Sequence, residues 1–163
     1  MRFLLEVGAE IEARDDEGNT ALHSAIEFRN VEGVRLLLSA GADREVRNHD
    51  GGLTPLCHAI EEGCMDVIEM LILAGADVEA KDGRGCSPLV WGILERDDAV
   101  VSLLVRHGVD VEARDGEGRS PLWRAVEEGD SDVVRVLLDC GADVDVRNNA
   151  GRSLEDFAES RDI

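Results

Sequence analysis

Three observations predict an all-α solenoid of stacked helix–turn–helix units. The first is a period: Gly8, Gly41, Gly75, Gly108 and Gly141 step by 33, 34, 33 and 33 residues, each followed by Ala or Val and then an acid. The second is an independent series, Gly18, Gly52, Gly85, Gly118 and Gly151, each two residues before a Thr or Ser, with the same period. The third is composition. Hydrophobic residues make up 44% of the 163, but aromatics only 3%, with no tyrosine. A core of Leu, Val, Ile and Ala suits thin repeated layers that bury their faces against neighbours.

The elements follow in order along one expected domain, 1–163. Residues 1–14 read as a partial repeat; Met1 to Gly8 resembles the end of a second helix. Its apolar Phe3, Leu4, Leu5 and Val7 point to a segment of a longer array. In 15–46, Thr20 is the N-cap of a first helix over Ala21–Glu27, and Arg29-Asn30 breaks it. The second helix places Val31, Val34, Leu37 and Leu38 on one face. Gly41 takes the left-handed C′ position, and Asp, Asn and Gly between Asp43 and Gly52 mark a turn. Units 47–80, 81–113 and 114–146 repeat this with Pro55, Pro88 and Pro121 at the first helical position, where no N–H is needed. Gly51-Gly52 supplies the one extra residue, lengthening a hairpin tip. The third unit is predicted to be weak: Gly92 stands where the others have Ala, and Asp98 opens a second helix. Gly92→Ala is expected to stabilise the chain unless Trp91 or Trp123 fills the space. Residues 147–163 form a closing half-repeat with Glu155, Asp156, Glu159 and Arg161 on its outer face.

The segments Thr20-Ala-Leu-His-Ser-Ala25, Thr54-Pro-Leu-Cys-His-Ala59, Ser87-Pro-Leu-Val-Trp-Gly92 and Ser120-Pro-Leu-Trp-Arg-Ala125 resemble the T-P-L-H-x-A signature of ankyrin repeats. Leu71 to Val78 and Leu137 to Val144 resemble the second half of that pattern. The resemblance spans essentially the whole chain. It implies an ankyrin-repeat solenoid of helix–turn–helix units joined by β-hairpin-like loops, about four units plus terminal half-repeats. It also implies a protein–protein interaction module whose hairpin tips and first helices line a concave face, with second helices behind. Only His23 keeps the signature histidine; Cys57, Val90 and Trp123 replace it.

Charge bounds the partner. With 36 acidic and 17 basic residues the net charge is −19. Nucleic acid and anionic membranes are excluded as ligands, because both require cationic surface. A basic protein is the complement. No apolar run approaches the roughly 20 residues of a membrane span, and the N-terminus does not fit a signal peptide. Cys57, Cys64, Cys86 and Cys140 contain no C-x-x-C pair and read as free thiols, so a cytoplasmic or other reducing compartment and a monomer are expected.

No catalytic residue, metal or cofactor is expected, and so no enzyme. The acidic pairs, such as Asp97-Asp98, fall on predicted turns and exposed edges, and no calcium-loop pattern is present. Cys57, His58 and Cys64 lack zinc spacing and a fourth ligand. Adjacent Cys57 and His58 point apart on a helix. Phosphate-loop, dinucleotide, nucleophile-elbow and H-E-x-x-H patterns are missing. A basic column, Arg14, Arg47, Lys81, Arg114 and Arg147, lies two residues after Glu12, Glu45, Glu79, Glu112 and Asp145, and is read as a ladder of exposed ion pairs.

Mapped by repeat position, the candidate protein-binding residues are Asp16, Glu17, Asn19, His49, Asp50, Leu53, Arg84, Glu117 and Arg119 from the hairpins. The first helices add Glu27, Phe28, Glu61, Glu62, Leu94, Glu95, Glu127 and Glu128. Phe28, Leu53 and Leu94 are expected apolar anchors. Glu27, Glu61, Glu95 and Glu127 are read as one repeat position, an acidic row. The expected function is a scaffold or adaptor binding a basic partner on an acidic concave face. The alternative is an inhibitor that masks the cationic site of an enzyme or nucleic-acid-binding protein.

Overall fold

The computed structural model describes residues 10–49 and 52–160. Among these it contains nine α-helices and no strand beyond isolated bridges. They are α1 (Ala21–Glu27), α2 (Val31–Ser39), α3 (Pro55–Glu61), α4 (Met65–Leu73), α5 (Pro88–Leu94), α6 (Asp98–Arg106), α7 (Pro121–Glu128), α8 (Ser131–Asp139) and α9 (Leu154–Glu159). The chain divides into two compact units, Met1–Pro88 and Leu89–Ile163.

The helices start where cap chemistry dictates. Thr54 and Ser120 accept the amides of Cys57 and Trp123 at 3.2 Å each, with Pro55 and Pro121 at the first helical position. Second helices begin on Asn30, Asp97 and Asp130, whose side chains accept amides at 2.9, 3.0 and 3.2 Å. Cys64 holds the same position with no cap bond. The C′ glycines Gly41, Gly75, Gly108 and Gly141 all have φ between 82° and 89°, as their common spacing requires. Gly8 lies outside the described residues, as do Phe3, Leu4, Leu5, Val7 and Arg161.

Helix pairs α1–α2, α3–α4 and α7–α8 close three of the layers. Layers then join first helix to first (α1–α3) and second to second (α2–α4, α6–α8). The core is aliphatic: Leu22, Ile26, Leu37, Leu56, Ile68 and Leu71 in the first unit, Leu89, Ile93, Leu104, Leu122 and Leu137 in the second. Trp91 and Trp123 are buried packing residues, and Trp123 lies 5.4 Å from the Phe157 ring.

In the third layer the two residues predicted to weaken it, Asp98 and Gly92, sit in defined surroundings. Asp98 occupies the first turn of α6, where a carboxylate suits the helix dipole, and Asp97 caps the same turn. A Cβ on Gly92 would lie 3.2 Å from methyls of both Val100 and Val101. The space is filled by α6 valines rather than by either tryptophan. Gly52 likewise has no room, since its Cβ would lie 3.0 Å from the Gly83 backbone. Gly51 lies outside the described residues.

Candidate functional site

The hairpins that carry the candidate residues are held by a column of Asp and Asn that follows the same repeat spacing. Asp15, Asn48, Asp82, Asp115 and Asn148 each turn a side-chain oxygen back onto amides of their own loop. Asp115 Oδ1 accepts from Glu117 and Arg119 at 2.8 and 3.0 Å, and Asp15 Oδ1 from Glu17 and Asn19 at 3.0 and 2.8 Å. Asn48 Oδ1 accepts from Leu53, Asp82 Oδ1 from Cys86, and Asn148 Oδ1 from Arg152. Asp and Asn bond their own backbone a few residues on, so the tip is preset.

The basic column does something other than pair with its acids. Arg14 Nη1 donates to the carbonyls of Gly18 and Arg47 at 2.7 and 2.6 Å, and Arg114 Nη1 to those of Gly118 and Arg147. The acids reach forward instead. Glu12 accepts from the Asp43 amide, Glu45 from Asp77 and Glu112 from Asp143, at 2.8 to 2.9 Å. Both signs of charge thus staple one repeat to the backbone of the next, where charge-assisted bonds outweigh exposed ion pairs.

The row of first-helix acids also changes register. Caps Thr20, Thr54, Ser87 and Ser120 and the helix ends make Leu94 the equivalent of Glu27, Glu61 and Glu127. Glu95 instead joins Phe28, Glu62 and Glu128. Leu53, expected as an apolar anchor, is 7% exposed and belongs to the core. Its carbonyl lies 3.2 Å from His23 Nε2. Leu94 is half-buried, whereas Phe28 is 76% exposed. Asp16, Glu17, Glu27, His49, Arg84, Glu95 and Glu117 are exposed, and Asn19, Glu62 and Glu128 half-buried. Asp50 lies outside the described residues.

Some candidate acids already have partners. Glu62 meets Arg29 at 3.7 Å. Arg119, 13% exposed, binds Asp115 at 2.9 Å, Glu117 at 3.1 Å and Glu127 at 3.2 Å; Arg124 binds Asp115 at 3.0 Å and Glu127 at 3.7 Å. Burial works against the Asp115 carboxylate, yet the bonds from Arg119 and Glu117 hold its pKa below the usual range. This two-arginine cluster is invisible in the spacing, because Arg124 stands mid-helix, away from the hairpin and helix-end positions.

The remaining polar chemistry is structural. Burial lowers the His23 pKa to about 4, against the raising bond from the Leu53 carbonyl. His23 stacks on His58 with ring centroids 5.8 Å apart. Burial pushes the Cys57 thiol up to about 12, so it is no nucleophile at neutral pH. The four cysteines are free thiols. Among the described residues no group of His, Cys, Asp or Glu is arranged to hold a metal ion, and no helix is long and apolar enough to cross a membrane.

A family profile described as ankyrin repeats (3 copies) matches residues 1–82 and 73–148. The chain belongs to the ankyrin repeat family. Ankyrin repeats are protein–protein interaction modules, and this solenoid has the helix pairs and caps of that family. The crystal structure of the ankyrin repeat domain of Bcl-3, described as a unique member of the IkappaB protein family, is similar with a TM-score of 0.88 and 36% identity. The match covers 94% of this chain and 69% of that one. Human B-cell lymphoma 3 protein is 42% identical over 105 residues, 55% of this chain and 23% of the relative. Protein PhlB of Serratia liquefaciens is 41% identical over 89 residues, 55% of this chain and 39% of the relative. Human protein phosphatase 1 regulatory subunit 27 is 42% identical over 53 residues, 32% of this chain and 34% of the relative. The chain therefore spans well under half the length of these curated relatives.

Proposed function

We propose that this ankyrin-repeat chain is a non-catalytic scaffold or adaptor that docks a basic partner on the acidic hairpin tips and first-helix ends of its repeats. The observation that carries the reading is the exposed carboxylates of Asp16, Glu17, Glu27 and Glu95 on a chain of net charge −19. A folded protein gains no core from them, and like charges repel. A cationic partner relieves that repulsion and is steered in by it.

Peptides selected on the immobilised chain from an unbiased library test this. The expected ligands are basic, associate more slowly at high salt, and lose that salt dependence with Glu27→Gln plus Glu95→Gln. Ligands that are neutral, or that require Glu32, Glu69 and Asp132 on the second helices instead, would refute the assignment. A second reading, a mask over a partner's cationic site, draws on the likeness to a protein named as a phosphatase regulatory subunit. Competition by nucleic acid or anionic substrate for the captured partner separates the two.

A further inference from the structure

The first helices α1, α3, α5 and α7 each carry a Leu two residues after the cap and an Ile or Val four residues later: Leu22 and Ile26, Leu56 and Ile60, Leu89 and Ile93, Leu122 and Val126. All but the half-buried Val126 are buried. Counted from its cap Ser153, α9 has Glu155 and Glu159 at these positions. Expected on an outer face, the two acids thus stand where every other layer is apolar. Four residues apart, they share one face of the helix. Both are exposed, and among the described residues neither pairs with a cation.

Glu155 borders a cavity of about 590 Å³. Val126 of α7, Val144 of the hairpin, and Leu154 and Ala158 of α9 give it an apolar wall, and Asp145 adds a second carboxylate. Arg147 also lines it, but its guanidinium is committed to the Gly151 carbonyl at 2.9 Å and to Asp156 at 4.0 Å. The third layer shows what fills such a space. Ala158 is the counterpart of Gly92, whose Cβ would meet methyls of Val100 and Val101 at 3.2 Å. There the occupant is α6, a helix with a buried apolar face. Among the described residues no helix follows α9. Helix α8 is opened in the same way: Val134 is half-buried and Leu138 42% exposed, whereas their counterparts Ile68 and Ile72 on α4 are buried.

We propose that α9, together with Val126 and Val144, is a docking seat for an amphipathic basic helix of a partner protein, lying on α9 as α6 lies on α5. The apolar stripe of that helix covers Val126, Val144 and Ala158, and its flanking cations meet Glu155 and Glu159. The chain's own second helices are matched to Leu and to Ile or Val at these two positions; carboxylates there suit an occupant that carries Lys or Arg beside its stripe. Lysine stems also cover apolar surface while their charges stay at the rim. This adds a second surface to the basic-partner reading, and either can fail alone.

The probe is the amphipathic peptide Ac-Leu-Ala-Lys-Leu-Leu-Lys-Lys-Leu-Ala-Lys-Leu-Leu-Lys-Lys-amide, titrated into the isotope-labelled chain and followed by amide shifts. Saturable shifts at residues 144–147 and 154–160 are expected. A peptide of the same composition with its leucines scattered round the helix is expected to bind at least about tenfold more weakly. Glu155→Lys with Glu159→Lys is expected to weaken binding at least about tenfold, whereas the same charge change at Glu32 and Glu69, on α2 and α4, leaves it within about twofold. Val144→Gln, at a residue 56% exposed, keeps the fold and is expected to cost about fivefold through the apolar wall. Equal binding of the scattered peptide, or an equal loss with Glu32→Lys and Glu69→Lys, overturns the seat, because bulk charge then accounts for the capture. Shifts confined to residues 15–19 and 115–119 overturn it while leaving the basic-partner reading standing. No saturable shift means a merely solvated end and overturns it as well. The basic-partner reading falls separately, when the ligands selected from the library are neutral.

Discussion

Replacing Cys64 by Asn is expected to stabilise the chain by supplying a missing helix cap. Among the four second helices, α4 alone starts on a residue whose side chain accepts no amide; Asn30, Asp97 and Asp130 do so elsewhere. The backbone is already suited to a cap, with φ −95° and ψ 78° at Cys64 against −84° and 78° at Asn30. Cap side chains contribute about 1 kcal/mol. The substitution gives up little in return, since the Cys64 thiol sits a distant 3.7 Å from the Glu62 carbonyl. A gain of that size raises the thermal midpoint of a chain this long by roughly 2–4 °C. Asn is chosen over Asp because burial, together with Glu62 and Asp66, already pushes the Cys64 thiol up. Calorimetry and urea denaturation of Cys64→Asn, Cys64→Ala and wild type provide the measurement. An unchanged or lowered midpoint, or an equal rise with Ala, would show that no cap had been added.

Gly92→Ala is expected to lower the midpoint or leave it unmoved, because the new methyl presses on Val100 and Val101; a cost of about 1–3 kcal/mol follows if neither valine yields, and a raised midpoint would contradict it. Arg29 sits at φ 50° where the next repeat has Gly63 at φ 63°. Arg29→Gly is therefore expected to gain a few tenths to about 1 kcal/mol, net of an ion pair worth less, and a urea midpoint that falls would refute it. His23 has its pKa lowered from 6.5 to about 4, so the unfolded chain binds more protons between those values. Its contribution is present above pH 6.5 and is lost as pH falls toward 4, at up to about 1.4 kcal/mol per pH unit. His23→Gln is expected to flatten the stability profile in that window, and an unchanged slope would exclude His23 as its source.

Much of the fold is legible in the sequence because caps, prolines and left-handed glycines are local requirements. Thr54-Pro55 and Gly75 need no knowledge of their neighbours to mark where a helix starts and stops. The site is less legible because a charged side chain chooses its partner in three dimensions. Glu12 and Arg14 stand two apart, a spacing that suggests an ion pair, yet each binds backbone of the following repeat. Leu53 lies next to a turn and reads as surface, but the Asn48 side chain folds the tip so that Leu53 points into the core. Glu95 matches its neighbours in charge but not in distance from its cap at Ser87. The Asp15 column emerges from the glycine count when it is extended three residues back from Gly18, Gly85, Gly118 and Gly151.

The staples made by Glu12, Glu45 and Glu112 end on backbone amides, a group that every residue except proline possesses. At its amide end each staple is therefore indifferent to which residue it meets, although the packed helix faces are not. A repeat that is duplicated, deleted or exchanged keeps this part of the joint as long as it brings its own Glu and its packed helix faces. Surface residues at the hairpin tips differ between repeats, as Asn19 and Arg119 do on equivalent loops.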